Sequence, residues 1–184
     1  MADESYRYLG LLTVCILAAG LTYIVVKWPN SKHATFSQHI AVSKASIIYY
    51  IVLFGVVLTL LILFFIKWFI PNFEPSIWFG VLVIISSIAQ FACTLIPEVG
   101  GWRSVSHRVL AGLSGLLLIP ALSLLLYSEN IRDYGKAFVA LGLSLMMCVI
   151  FTVLLQKGKP HYALVLQTTY YTAFFLPILI ITYL

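Results

Sequence analysis

Six apolar stretches, each about as long as a helix that crosses a bilayer, take up most of this chain. They cover about residues 8–26, 47–66, 77–96, 109–127, 137–155 and 162–184. A helix rising about 1.5 Å per residue needs roughly 20 residues to span about 30 Å of hydrocarbon. The runs are continuous rather than alternating in polarity, which excludes a transmembrane barrel. In lipid the remaining way to satisfy every backbone group is the helix. Composition agrees, since only 9% of the 184 residues are charged and mean hydropathy is +1.04. A soluble domain carries about 25% charged residues, and a chain this short cannot hide so much apolar surface from water. The expected fold is therefore all-α: a polytopic bundle of six transmembrane helices forming one integral membrane domain over 1–184, without a soluble domain. A cleaved signal peptide is disfavoured at the start. Asp3 and Glu4 precede the first cation, Arg7, and the apolar run is too long for a signal core.

The connections carry Pro, Gly, Asn and charge, as surface turns do. Lys27-Trp28-Pro29-Asn30 closes the first run, and Lys67-Trp68 before Pro71-Asn72 closes the second. These read as interfacial anchors, with Trp at headgroup depth and Lys reaching outward, and Trp78 and Trp102 fall at further interfaces. Residues 34–46, in the longest connection, allow a short surface helix. Cys15, Cys93 and Cys148 all sit inside apolar runs, lack metal-type spacing and read as small packing residues.

Loop charge orients the bundle. Face A, with loops 1–2, 3–4 and 5–6, carries seven cations: Lys27, Lys32, Lys44, Arg103, Arg108, Lys157 and Lys159. Face B, with both termini, carries four: Arg7, Lys67, Arg132 and Lys136. The positive-inside rule puts face A in the cytoplasm and both termini outside, in a plasma membrane. Glu98 is the sole acid of face A, while Asp3, Glu4, Glu74, Glu129 and Asp133 lie on face B. The faces thus carry +6 and −1, which sum to the net +5. Basic residues scattered singly between apolar runs do not favour nucleic acid; anionic lipid headgroups are the natural counter-charge.

Polar chemistry concentrates on face A. His33, His39, His107 and His161 all fall there, and the densest polar stretch is 96–108. Pro97 and the Gly100-Gly101 pair end the third helix. Ser104 or Ser106 then caps the fourth, placing His107 on its first turn. Ala111 and Ser114 continue the His107 stripe, and Gly112 and Gly115 the Arg108 stripe. Such small residues form either a packing seam or the floor of a cleft. Gln90, Ser114 and Gln167 lie about 9–11 Å below face A by helical rise. Amides there need a partner or a wet cavity, and bonding among the three is the plain reading. The N-terminal ends of the second, fourth and sixth helices all open on face A. Their free N–H groups, with Arg103, Arg108 and Lys159, suit a phosphate or carboxylate.

The residues read as ligand-binding are thus Glu98, Arg103, His107, Arg108, Gln90, Ser114 and Gln167. Glu98 pairs with Arg103 or Arg108, or positions His107 for proton transfer. No charged residue lies mid-helix, so an ion-coupled pump is disfavoured. Phosphate-loop, zinc-protease and nucleophile-elbow motifs do not occur. No metal or cofactor is expected, because the histidines sit at or beyond the interface and His33/His39 spacing is poor for a metal.

Ile96-Pro97-Glu98, a Gly-containing turn, and His107 three residues before Leu110-Ala111-Gly112 resemble the DUF998 family of six-helix membrane proteins. More distantly, they resemble the Frag1/DRAM/Sfk1 membrane proteins. The likeness centres on 91–128, and Ile96 stands where an aromatic residue usually precedes the proline. It implies a six-helix bundle marked at Pro97, Glu98 and His107, and a link to membrane-lipid handling. The reading that follows is a non-enzymatic protein binding a lipid headgroup or small anion in a face A cleft. The alternatives are a lipid-modifying enzyme with His107 and Glu98 as acid and base, a small transporter using the Gln90–Gln167 layer, or a structural subunit. Membrane lipids are the expected partners, with a homo-oligomer or another membrane protein possible.

Overall fold

A computed structural model describes residues 4–30, 34–98, 100–156 and 162–184. Among them the protein is a helical bundle with six helices long and apolar enough to cross a membrane. We label the helices α1 (Arg7–Lys27), α2 (Phe36–Ile40), α3 (Lys44–Phe64), α4 (Ile77–Leu95), α5 (Gly101–Leu124), α6 (Asp133–Leu155) and α7 (Ala163–Tyr183). The long helices pack chiefly as three antiparallel pairs, α1/α3, α4/α5 and α6/α7. Lys32, His33, Lys157, Lys159 and His161 lie outside the described residues.

Several boundaries differ from the sequence expectation, each for a backbone reason. The second span does not stop near 66 but runs to Phe73. A π turn over Phe65–Phe69 carries it, with the Ile70 N–H reaching the Phe65 carbonyl. That wider turn lets the chain pass Pro71, which has no N–H to give the helical ladder. Glu74 then ends it in a left-handed conformation (φ 44°). The fourth span starts at Gly101 rather than 109, because Gly100 and Gly101 take positive φ (97° and 57°) and turn straight into the helix. Ser104 serves that turn by accepting from the Gly100 N–H, at 2.8 Å. His107 consequently lies one turn deeper than expected.

Small residues set two of the pairings. Gly10 and Gly20 of α1 receive Phe64 and Leu53 of α3, and Gly142 of α6 lies against the Ala173 carbonyl and Pro177 of α7. The face B end of α3 and α4 is aromatic, with Phe64, Phe65, Trp68, Phe69 and Phe79 packed together; the Phe65 and Phe79 rings sit 5.3 Å apart. Trp68 is therefore not an interfacial anchor, being 5% exposed, whereas Trp78 and Trp102 are exposed as anchors should be. Arg7 ties the start of α1 to the end of α7, donating from Nε and Nη2 to the Thr182 carbonyl at 3.1 and 2.8 Å.

Candidate functional site

The face A half of the bundle holds a cleft of about 780 Å³ bounded by α5, α6 and α7 and roofed by α2. Its origin lies in how α5 and α6 meet. Toward face B, Leu122 of α5 packs near Gly142 of α6. Toward face A the two helices part, and Gly112 and Leu116 face the cleft from one side, Val153 and Leu154 from the other. Leu116 and Leu154 are exposed, so the cleft opens sideways, where lipid would lie. Tyr170 and Gln167 of α7 form its back. The walls are mostly hydrocarbon and the polar groups gather under the roof.

That roof is a helix of five residues, too short to persist alone. Side-chain bonds hold it. Thr35 and Gln38 form a capping box at its start. The Phe36 N–H donates to Gln167 Oε1 at 3.2 Å, and Ser37 Oγ donates to Glu98 Oε2 at 2.9 Å. The other Glu98 oxygen accepts from Arg108 Nε, also at 2.9 Å. Glu98 thus joins α2 to α5 through a side chain only 8% exposed, while that of Arg108 is 70% exposed. Among the described residues the Arg108 Nη groups take no partner, which leaves four N–H donors on two nitrogens at the cleft mouth.

His107 lines the cleft but is 4% exposed and is held by backbone. Its Nδ1 lies 2.7 Å from the Ile96 carbonyl and 3.1 Å from that of Cys93. Carbonyls only accept, so these partners assign the proton to Nδ1, and the ring satisfies carbonyls freed at the end of α4. Nε2 sits 3.5 Å from Cys93 Sγ. Sequence spacing did not single out that thiol as a histidine neighbour; it follows from α4 packing on α5. Glu98 bonds to Ser37 and Arg108 and does not orient His107.

Of the residues singled out from sequence, Glu98, His107, Arg108 and Gln167 meet at the cleft. Gln90, Ser114 and Arg103 do not line it. Gln90 Oε1 accepts from Tyr171 Oη at 3.3 Å. Ser114 offers its carbonyl to Ser86 Oγ at 2.8 Å, closing the α4/α5 interface. Arg103 is exposed and stacks over Trp102, 5.9 Å from the ring centre. Bonding among Gln90, Ser114 and Gln167 is thus replaced by three separate pairs. The helix N-termini also divide. Of the three span starts expected to converge, that of α7 borders the cleft, that of α5 does not line it, and Ser43 and Ser46 cap α3 locally; the start of the short α2 joins α7 there.

Sequence reasoning missed Ser37, Thr35 and Gln38, although the Thr35…Gln38 spacing is a capping-box pattern. The small-residue stripe proves to be cleft floor at one point: a Cβ on Gly112 would meet nothing within 4 Å among the described residues. Among those residues no group of three His, Cys, Asp or Glu side chains is placed to hold a metal. Comparison with protein-family models, with curated proteins and with solved structures finds no match to this chain.

Proposed function

We propose that this membrane protein binds a phosphate-bearing lipid in the α5/α6/α7 cleft without chemically altering it. The observation that carries the reading is the segregation of the cleft. A wide apolar slot, open sideways between α5 and α6, ends beneath α2 in the Arg108 Nη donors and the first turn of α7. An acyl chain lies against Leu116, Val153 and Leu154, as in lipid, and a phosphate oxygen accepts from Arg108. Glu98 already satisfies Arg108 Nε, so the site is close to neutral and selects by the donor fork rather than by net charge.

We further propose that the resemblance over 91–128 to DUF998 and to lipid-handling membrane proteins reflects kinship; of its marked positions, Glu98 and His107 line the cleft. We place face A in the cytoplasm of a plasma-membrane protein from its cation excess.

The test is lipid extracted from protein purified in mild detergent and identified by mass spectrometry. Wild-type protein should retain phospholipid, and Gly112→Phe and Arg108→Gln should each retain at least about fivefold less, as expected for a filled slot or a lost charge-assisted donor. Titration with inorganic phosphate separates a free anion from a headgroup: the lipid reading expects no saturable phosphate binding that Gly112→Phe removes. Equal phospholipid content in wild type and Gly112→Phe would end the proposal.

A further inference from the structure

Two glutamines line the face A cleft beside Arg108, and each uses its oxygen on the backbone of the roof. Gln38 Oε1 accepts from the Thr35 N–H at 3.1 Å, and Gln167 Oε1 accepts from the Phe36 N–H at 3.2 Å. A backbone N–H only donates, so these bonds fix which end of each amide is oxygen. The Nε2 ends carry two N–H donors each and bond to nothing among the described residues. Neither is sealed in. Among those residues the buried side-chain nitrogens without a partner are His39 Nε2 and Trp68 Nε1, so both amide nitrogens reach open space. One run of bonds ties them to the arginine, from Gln167 through Phe36 and Ser37 to Glu98 and on to Arg108.

Acceptors are scarce on the same rim. Thr35 Oγ1 accepts from the Gln38 N–H and lies 2.8 Å from Ser37 Oγ, which donates to Glu98. The Tyr170 hydroxyl donates to the Gly115 carbonyl and that of Tyr171 to Gln90. Glu98 is the one acid among the described residues lining the cleft, and both its oxygens are engaged through a side chain 8% exposed. The loops of face A add no other acid, and that face carries +6. A ligand ammonium at this rim would meet a guanidinium and amide N–H groups, with no open carboxylate. A ligand oxyanion would meet donors alone.

Resting on the lipid reading above, we propose that the cleft selects a phosphomonoester headgroup, as in phosphatidic acid, with Gln38 and Gln167 as specificity-determining donors beside Arg108. A phosphomonoester offers three acceptor oxygens and carries no donor group of its own. A phosphodiester lipid offers two free oxygens, and phosphatidylethanolamine adds an ammonium that this rim leaves without a partner. Because the same amides hold α2 through their oxygens, a phosphate on their nitrogens also fastens the roof.

The full chain in mild detergent is titrated with dihexanoyl phosphatidic acid, dihexanoyl phosphatidylethanolamine and inorganic phosphate. Phosphatidic acid should bind at least about tenfold more tightly than phosphatidylethanolamine, the scale of one charge-assisted bond. It should also slow amide exchange at residues 36–40. Gln38→Glu and Gln167→Glu keep the oxygen that each backbone N–H needs, so both should melt with the parent. Each loses its donors and should weaken phosphatidic acid at least about tenfold, with phosphatidylethanolamine changed less. Equal affinity of the wild type for the two lipids, with both lost in Gly112→Phe, leaves the lipid cleft standing and overturns the selectivity. Lipid binding untouched by Gly112→Phe overturns the cleft reading and this inference together. Phosphatidic acid held as tightly by the Gln38→Glu/Gln167→Glu double variant as by the wild type overturns the role of the amides. Saturable inorganic phosphate binding that the same variants abolish would identify a free anion and overturn the lipid class.

Discussion

Glu98 is satisfied by one hydroxyl and one guanidinium, and its two bonds differ in consequence. Its carboxylate is nearly buried, while most of the Arg108 side chain is in the open. Arg108→Ala therefore leaves a desolvated anion with Ser37 as its one partner among the described residues. That should destabilise the protein by about 1–3 kcal/mol, the scale of a buried polar group left short of a partner. The double variant Arg108→Ala/Glu98→Gln should regain part of the loss, because a neutral amide keeps a hydrogen bond to Ser37 without a buried charge. Denaturation in mixed micelles reads both. A double variant no more stable than Arg108→Ala would show that the carboxylate is better hydrated than its burial implies. His107 makes a related point, because its ring completes the backbone at the end of α4 before it does anything else.

Among elements, helix contact depends on which glycine faces backbone. At Gly142 an added Cβ would strike the Ala173 carbonyl oxygen, and backbone cannot swing aside as a side chain can. Gly142→Ala should cost about 1–3 kcal/mol, as overpacking does. Gly112→Ala meets open space and should shift stability by no more than about 0.5 kcal/mol. Equal effects in unfolding measurements would refute the cleft geometry. Helix α2 offers a second case. It is held through Ser37 and Gln167, so Ser37→Ala/Gln167→Ala should speed amide exchange at residues 36–40 while leaving exchange in the six spans unchanged. Unaltered exchange at 36–40 would mean that the capping box and the burial of Ile40 suffice by themselves.

At the scale of the whole molecule, the six spans return the chain to the face it started from. Our proposal that face A is cytoplasmic rests on its cations, seven against four. A membrane-impermeant maleimide applied to intact cells should label Tyr127→Cys, at the face B end of α5, and should reach Trp102→Cys only after permeabilisation. Labelling in the reverse order would invert the assignment and with it the leaflet that the cleft meets.

Apolar run length and the scarcity of charge determined, from sequence alone, that the chain is a six-helix membrane bundle, because hydrocarbon admits few backbone solutions. They also placed Glu98, His107, Arg108 and Gln167 on one face, since loop membership needs nothing beyond the order of the spans. The Glu98–Arg108 pair was one of the two pairings its loop allowed; the other partners were not legible. Gln90 and Ser114 share a depth with Gln167, but depth is a one-dimensional coordinate, and rotation about each helix axis decides who meets whom. Gly112 reads in the sequence as either packing seam or cleft floor, and the divergence of α5 from α6 decides for the opening. The continuation of the second span past Phe64 and through Pro71 runs on a π turn over Phe65–Phe69, which local sequence signals do not announce. Tertiary packing decided who meets whom, because that depends on the angle and rotation of each helix against its neighbours.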